Sequence, residues 1–134
     1  MNAPDVVLCS PVRTPIGAYD GSLKTIPAAD LGAAVIRETL RRSGLGVAAI
    51  GSVVMGNVIQ AGNKMTPARQ AAIGGGVPVS VPAMTVNRVC GSGAQAIVTA
   101  AQQIASGEVE ADYLPHVHQL GSLPIWYGPI QHSP

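Results

Sequence analysis

Along residues 1–112, short apolar runs alternate with stretches of helical period, and breaks rich in Gly and Pro separate them. Asp5 to Val12 contains Val-Val-Leu-Cys, a run suited to a buried strand. It leads into Arg13-Thr14-Pro15-Ile16-Gly17, punctuated as a loop. Ala29 to Ser43 has helical spacing: Leu31, Ala34 and Val35 share a face with Glu38, and Ile36 and Leu40 stand four apart. Asp30 suits the positive end of that helix, Arg41 and Arg42 its last turn, and Gly44 its C-terminal cap. Ile50 to Ile59 is a second apolar strand with a Gly interruption. Thr66-Pro67 predicts a helix start, a hydroxyl N-cap followed by proline at the first helical position. That short helix stops by Gly74-Gly75-Gly76. Val81 to Val89 is a third strand, and it enters Cys90-Gly91-Ser92-Gly93.

A helix then runs from Gly91 to about Ser106, with Gly107 as its stop, and it carries no charge. Ala94, Ile97, Val98, Ala101, Ile104 and Ala105 make an apolar face. Gln95, Thr99, Gln102, Gln103 and Ser106 make a polar, uncharged stripe opposite. A solvated helix would carry Lys or Glu there, so the pattern predicts a helix buried on most sides. The alternation of strand and helix predicts an α/β fold, a mostly parallel sheet of about three strands with helices on its faces.

Composition sharpens this. The 134 residues make one ordinary domain, which excludes a multi-domain enzyme. Hydrophobic residues reach 47% and charged ones only 11%, against roughly 25% charged in typical globular chains. Such a chain is not disordered, and its charge-poor surface suits contact with other protein. A net charge of +1 argues against nucleic acid as a partner. No apolar run approaches the ~20 residues of a spanning helix, so no membrane partner is expected. No basic-then-apolar leader opens the chain, and two free thiols, Cys9 and Cys90, fit a cytoplasmic location. Every charged residue lies at or before Asp112, whereas residues 113–134 hold Pro115, Pro124, Pro129 and Pro134 and three of the four aromatics. The chain is therefore divided into residues 1–112 and an uncharged, Pro-rich tail, 113–134.

Cys90 stands where a strand ends and a helix begins. Unpaired N–H groups and the helix dipole at such a point favour a thiolate, the reactive form of cysteine. Gly91 and Gly93 leave room for a substrate, which suits attack on a carbonyl or thioester. The alternative is a buried structural cysteine before a Gly-rich cap, a common fate of free Cys. Cys9, inside the first apolar run, reads as a packed core residue.

Val86-Asn87-Arg88-Val89-Cys90-Gly91-Ser92-Gly93-Ala94-Gln95-Ala96-Ile97 resembles the acyl-enzyme signature of the thiolases, the acetyl-CoA acetyltransferases and 3-ketoacyl-CoA thiolases. Arg13-Thr14-Pro15-Ile16-Gly17, Gly56-Asn57-Val58-Ile59-Gln60-Ala61-Gly62 and Pro67-Ala68-Arg69-Gln70-Ala71-Ala72 resemble further thiolase segments in the same order. The likeness covers about residues 5 to 112. It implies that Cys90 is the cysteine acylated by an acyl-CoA, with its backbone N–H as an oxyanion donor. It also implies coenzyme A as substrate carrier with no separate cofactor, no metal, and assembly into homo-oligomers through the region of Thr85 to Val89. The family's activating His, second Cys and Asn-His element belong to a C-terminal half that finds no match in this sequence. The tail from Tyr113 departs from the family pattern, as a truncated or frameshifted end would. The chain alone is therefore expected to lack turnover. Its first strand is expected to be left as an exposed edge, because Pro115 interrupts the strand that should cover it.

Other patterns compete. Gly91-Ser92-Gly93-Ala94-Gln95-Ala96, with Asp112 further on, fits a dinucleotide-binding fingerprint. The same spacing recurs at Gly44-Leu45-Gly46-Val47-Ala48-Ala49 after a helix, where it carries no such meaning. His116 and His118 share a strand face but lack further metal ligands. Gly74-Gly75-Gly76 lacks the Lys of a phosphate loop, and Trp126-Tyr127 is a lone aromatic pair. A noncatalytic remnant or association module is the remaining class.

Overall fold

The computed structural model describes residues 6–109 and, as backbone, the strand residues 111–113, 116–117 and 130–132. Its centre is β2, Ser52–Asn57, in which every residue is buried. An unbroken buried run of this kind belongs to a strand covered on both faces. Alternation along β2 sends Val53 and Met55 to one side and Val54 to the other.

On the first side lie α1, Ala28–Ser43, and α2, Pro67–Gly74. Ile36, Val35 and Ala28 of α1 join Ala68, Ala71 and Ala72 of α2 over Val53 and Met55. The two helices approach closely because small residues face each other. A Cβ built on Gly32 would lie 2.8 Å from the Ala71 methyl, and one built on Gly75 would strike the Ile36 side chain. The triple glycine is thus more than a helix stop: it is the notch that receives Ile36. On the second side lies α3, Ser92–Ala105, whose Ala96, Ala100 and Ile104 cover Val54.

β3, Ala83–Val86, runs parallel to β2 with Val53 opposite Ala83. Along the other edge of β2 run β4, Ala111–Tyr113, and β5, His116–Val117, both parallel to it. β6, Ile130–His132, pairs antiparallel with β4 and with β1, Val6–Leu8. The order β1-β6-β4-β2-β3 is a mostly parallel sheet between two helical layers. The predicted α/β class and helices on its faces are as observed, and the sheet is wider than three strands.

Several expectations are corrected. The first strand ends at Leu8, because Ser10 turns into left-handed backbone with φ 47°. Val7 and Leu8 are exposed and Cys9 is only half-buried, so that segment is neither a buried strand nor core. β1 does lie at the sheet edge, but β6 from the tail pairs with its inner side. Ala34 is exposed, since α1 rotates the line Ala29, Ala33 and Ile36 inward. Thr66 occupies the N-cap of α2 with φ 46° and makes no side-chain cap bond; Thr85 Oγ1 of β3 accepts the Ala68 N–H instead, at 3.1 Å. The α3 helix is covered on one face only among the described residues. Gly93, Ala96, Ala100 and Ile104 are buried, while Ala94, Val98 and Ala105 are exposed. Small residues let α3 approach the sheet, so Gly93, Ala96 and Ala100 face inward beside Ile104 of the predicted face, whose Ile97 and Ala101 pack at the margin. The side chains of His116, His118, Trp126 and Tyr127 lie outside the described residues. No helix among the described residues is long and apolar enough to cross a membrane.

Candidate active site at the turn before α3

Between Val86 and Ser92 the chain reverses from the edge strand into α3. Asn87 opens the turn with a side-chain acceptor: its Oδ1 takes the Val89 N–H at 3.0 Å. An Asn bonding the N–H two residues on is the local device that starts such turns. Asn87 Nδ2 also donates to the Val58 carbonyl just past β2, at 2.8 Å. Val89 is held at φ 47°, in the left-handed region. A β-branched residue there is strained by about 1–3 kcal/mol and persists only where its surroundings over-determine it.

Ser92 supplies the second hold. It is fully buried, its Oγ donates to the Val89 carbonyl at 2.6 Å, and it accepts the Arg88 N–H at 2.9 Å. The backbone adds Gly91 N–H to Arg88 O at 2.9 Å and Ser92 N–H to Val89 O at 3.1 Å. Both backbone groups of Val89 are therefore bonded, one from each side of the turn. Ser92 and Asn87 were not singled out from the sequence, although an Asn two residues before a strained position is a legible turn signal.

Cys90 follows Val89 directly and is exposed, with a free thiol. Its N–H makes no hydrogen bond among the described residues. Gly91 forms the N-cap of α3 without a side-chain cap bond, and no acidic residue stands in the first turn. An exposed sulfur at the start of a helix, beside an uncommitted N–H, can act as a nucleophile whose developing oxyanion meets backbone donors. Gly91 serves the turn, and Gly93 serves packing in place of the expected room beside the sulfur. A Cβ on Gly91 would lie 3.3 Å from the Arg88 carbonyl oxygen, and Gly93 is buried on the packing face of α3. Arg88 extends along the helix, where its Nη1 donates to Gln95 Oε1 at 2.9 Å.

No histidine side chain falls among the described residues, and no group of them could hold a metal ion. The other charged cluster lies on α1. Glu38 accepts from Arg41 and Arg42, whose hydrogen bonds lower its carboxyl to about 2 from an ordinary 4.5. Glu38 and Arg42 line an open cleft of about 870 Å³ with Arg13, Thr14 and Val35, and no residue of the Cys90 turn borders it.

Residues 6–114 match the family model described as the thiolase N-terminal domain. An acetyl-CoA acetyltransferase of Pseudomonas aeruginosa is 51% identical over 106 residues, 79% of this chain and 27% of that relative. One of Cupriavidus necator is 50% identical over the same shares. A probable acetyl-CoA acyltransferase of Staphylococcus aureus is 50% identical over 103 residues, 77% of this chain and 26% of its own length. The chain thus spans about a quarter of the length of the curated relatives it matches. With the model match running through β1, β2, β3 and the Cys90 turn to α3, the chain belongs to the thiolase family, an enzyme family, and carries its N-terminal domain segment.

Proposed function

We propose that this chain contributes the acyl-accepting half of a thiolase-type acyltransferase, with Cys90 as nucleophile. The Cys90 thiolate adds to the carbonyl carbon of an acyl-CoA, and the oxyanion is stabilised by N–H donors that include that of Cys90. The tetrahedral intermediate collapses, the carbon–sulfur bond to coenzyme A breaks, and CoA leaves as a thiolate. An acyl-cysteine remains for transfer to a second acyl-CoA, or for the reverse thiolysis of a 3-ketoacyl-CoA. Coenzyme A is substrate carrier, and no other cofactor takes part. The observation that carries this is an exposed cysteine on a doubly braced, strained turn at the start of α3, inside the family-matched segment.

Carbon–carbon bond formation needs a base next to the acyl group, and the described residues place none beside Cys90. By the family likeness the deprotonating base belongs to the C-terminal half, and the chain by itself is expected to acylate without turning over. It also associates with further copies of itself. Support comes from exposed Met84 on edge strand β3, exposed Val98 on α3, and the low charge of the whole chain.

Incubation with acetyl-CoA followed by peptide mass mapping tests the reading. An acetyl group on the Cys90 peptide, absent in Cys90→Ser, is expected. Equal acetylation of Cys9, or none at either thiol, would remove Cys90 from the role. Steady thiolysis of acetoacetyl-CoA, lost in Cys90→Ser, would overturn the statement that the chain does not turn over. Light scattering during size-exclusion chromatography reads the association, and a clean monomer would refute it.

A further inference from the structure

We propose that Asn87 is the positioning residue that fixes Cys90 relative to the central strand. The proposal rests on the assignment of Cys90 as nucleophile. One amide side chain makes both contacts: Nδ2 donates to the carbonyl of Val58, and Oδ1 accepts the N–H of Val89. Val58 directly follows β2, the most buried strand of the sheet, and Val89 directly precedes Cys90. The Ser92 contacts differ in kind, because they stay within the turn, reaching only Arg88 and Val89. The turn's own hydrogen bonds therefore set its shape. The Asn87 amide ties that shape to the chain directly after β2.

The chemistry requires an amide at this position. A carboxylate keeps an acceptor for the Val89 N–H but loses the donor and faces the Val58 carbonyl oxygen. Alanine removes both ends. A displaced nucleophile still meets a small, freely diffusing reagent, but it meets a bound thioester poorly, since misplacement on the ångström scale can cost about a hundredfold in rate.

The experiment uses the full chain. Asn87→Ala and Asn87→Asp are compared with the parent by three measurements: acetylation of Cys90 by acetyl-CoA, iodoacetamide labelling of Cys90 and Cys9, and the spectrum of a nitroxide attached to Cys90 in a Cys9→Ser background. Asn87→Ala is expected to slow acetylation about tenfold to a hundredfold. It should leave the labelling ratio of the two thiols near the parent value and give a faster-tumbling nitroxide. Asn87→Asp should fall between Asn87→Ala and the parent in both acetylation and mobility. An unchanged nitroxide spectrum in Asn87→Ala overturns the proposal, whatever acetylation does. A rise in Cys9 labelling together with the loss also overturns it, because the effect is then general loosening. Absent acetylation in the parent, with a looser nitroxide in Asn87→Ala, sinks the nucleophile assignment and leaves the tie to β2 standing.

Discussion

Replacement of Ser92 by alanine tests how the turn is held. The hydroxyl is fully buried and serves two backbone groups, the Val89 carbonyl at 2.6 Å and the Arg88 N–H at 2.9 Å. The carbonyl keeps the Ser92 N–H at 3.1 Å, so it is not orphaned. The Arg88 N–H loses its hydrogen-bond partner. An orphaned, partly buried donor costs about 1–3 kcal/mol, and the lost hydroxyl bond nets about 1 kcal/mol. Val89 offsets part of this if it relaxes out of the left-handed region and releases its strain. The expected net loss is about 2 kcal/mol, a large share of the ~5–15 kcal/mol that holds a domain together. For a chain of this size that is a fall in Tm on the order of 8 °C. Urea unfolding followed by far-ultraviolet circular dichroism measures the loss, at protein concentrations low enough to suppress association. Stability equal to the parent, with Cys90 labelling unchanged, would show that the hydroxyl does not brace the turn.

Three further outcomes are expected. Gly75→Ala places a methyl against the fully buried Ile36 and 3.0 Å from the Ala71 carbonyl oxygen, and should cost about 1–3 kcal/mol in a thermal melt. Thr85→Val removes the acceptor for the Ala68 N–H; a loss of about 1 kcal/mol and faster amide exchange at Ala68 should follow, and unchanged exchange would show that Thr85 does not cap α2. Glu38 has a folded carboxyl lowered to about 2, so its contribution is complete above about 4.5 and is lost as pH falls through about 2. Glu38→Gln should flatten the dependence of Tm on pH across that window, and added salt should shrink the difference because the pair is exposed.

Chain-local features were legible in the sequence. Gly44 takes the left-handed cap with φ 68°, Arg41 and Arg42 fill the last turn of α1, and Pro67 opens α2. Each follows from backbone conformation or the helix dipole, which act within a few residues. The position of Cys90 between a strand and a helix was legible for the same reason, since strand, turn and helix are contiguous in the chain. The family likeness needed only the order of such segments. Matters of approach between distant segments were not legible. Which line of α3 faces inward depended on Val54 of β2, some forty residues earlier, and the closest packing selected Ala96 and Ala100 over Val98. The cap of α2 came from Thr85 across the sheet, because the left-handed Thr66 makes no cap bond of its own. The partner of β1 came from Ile130–His132, a segment whose composition gave no hint of pairing. The braces on the turn joined both worlds. The Asx turn at Asn87 is local, but its second hydrogen bond reaches Val58, a contact made only once β2 and β3 pair.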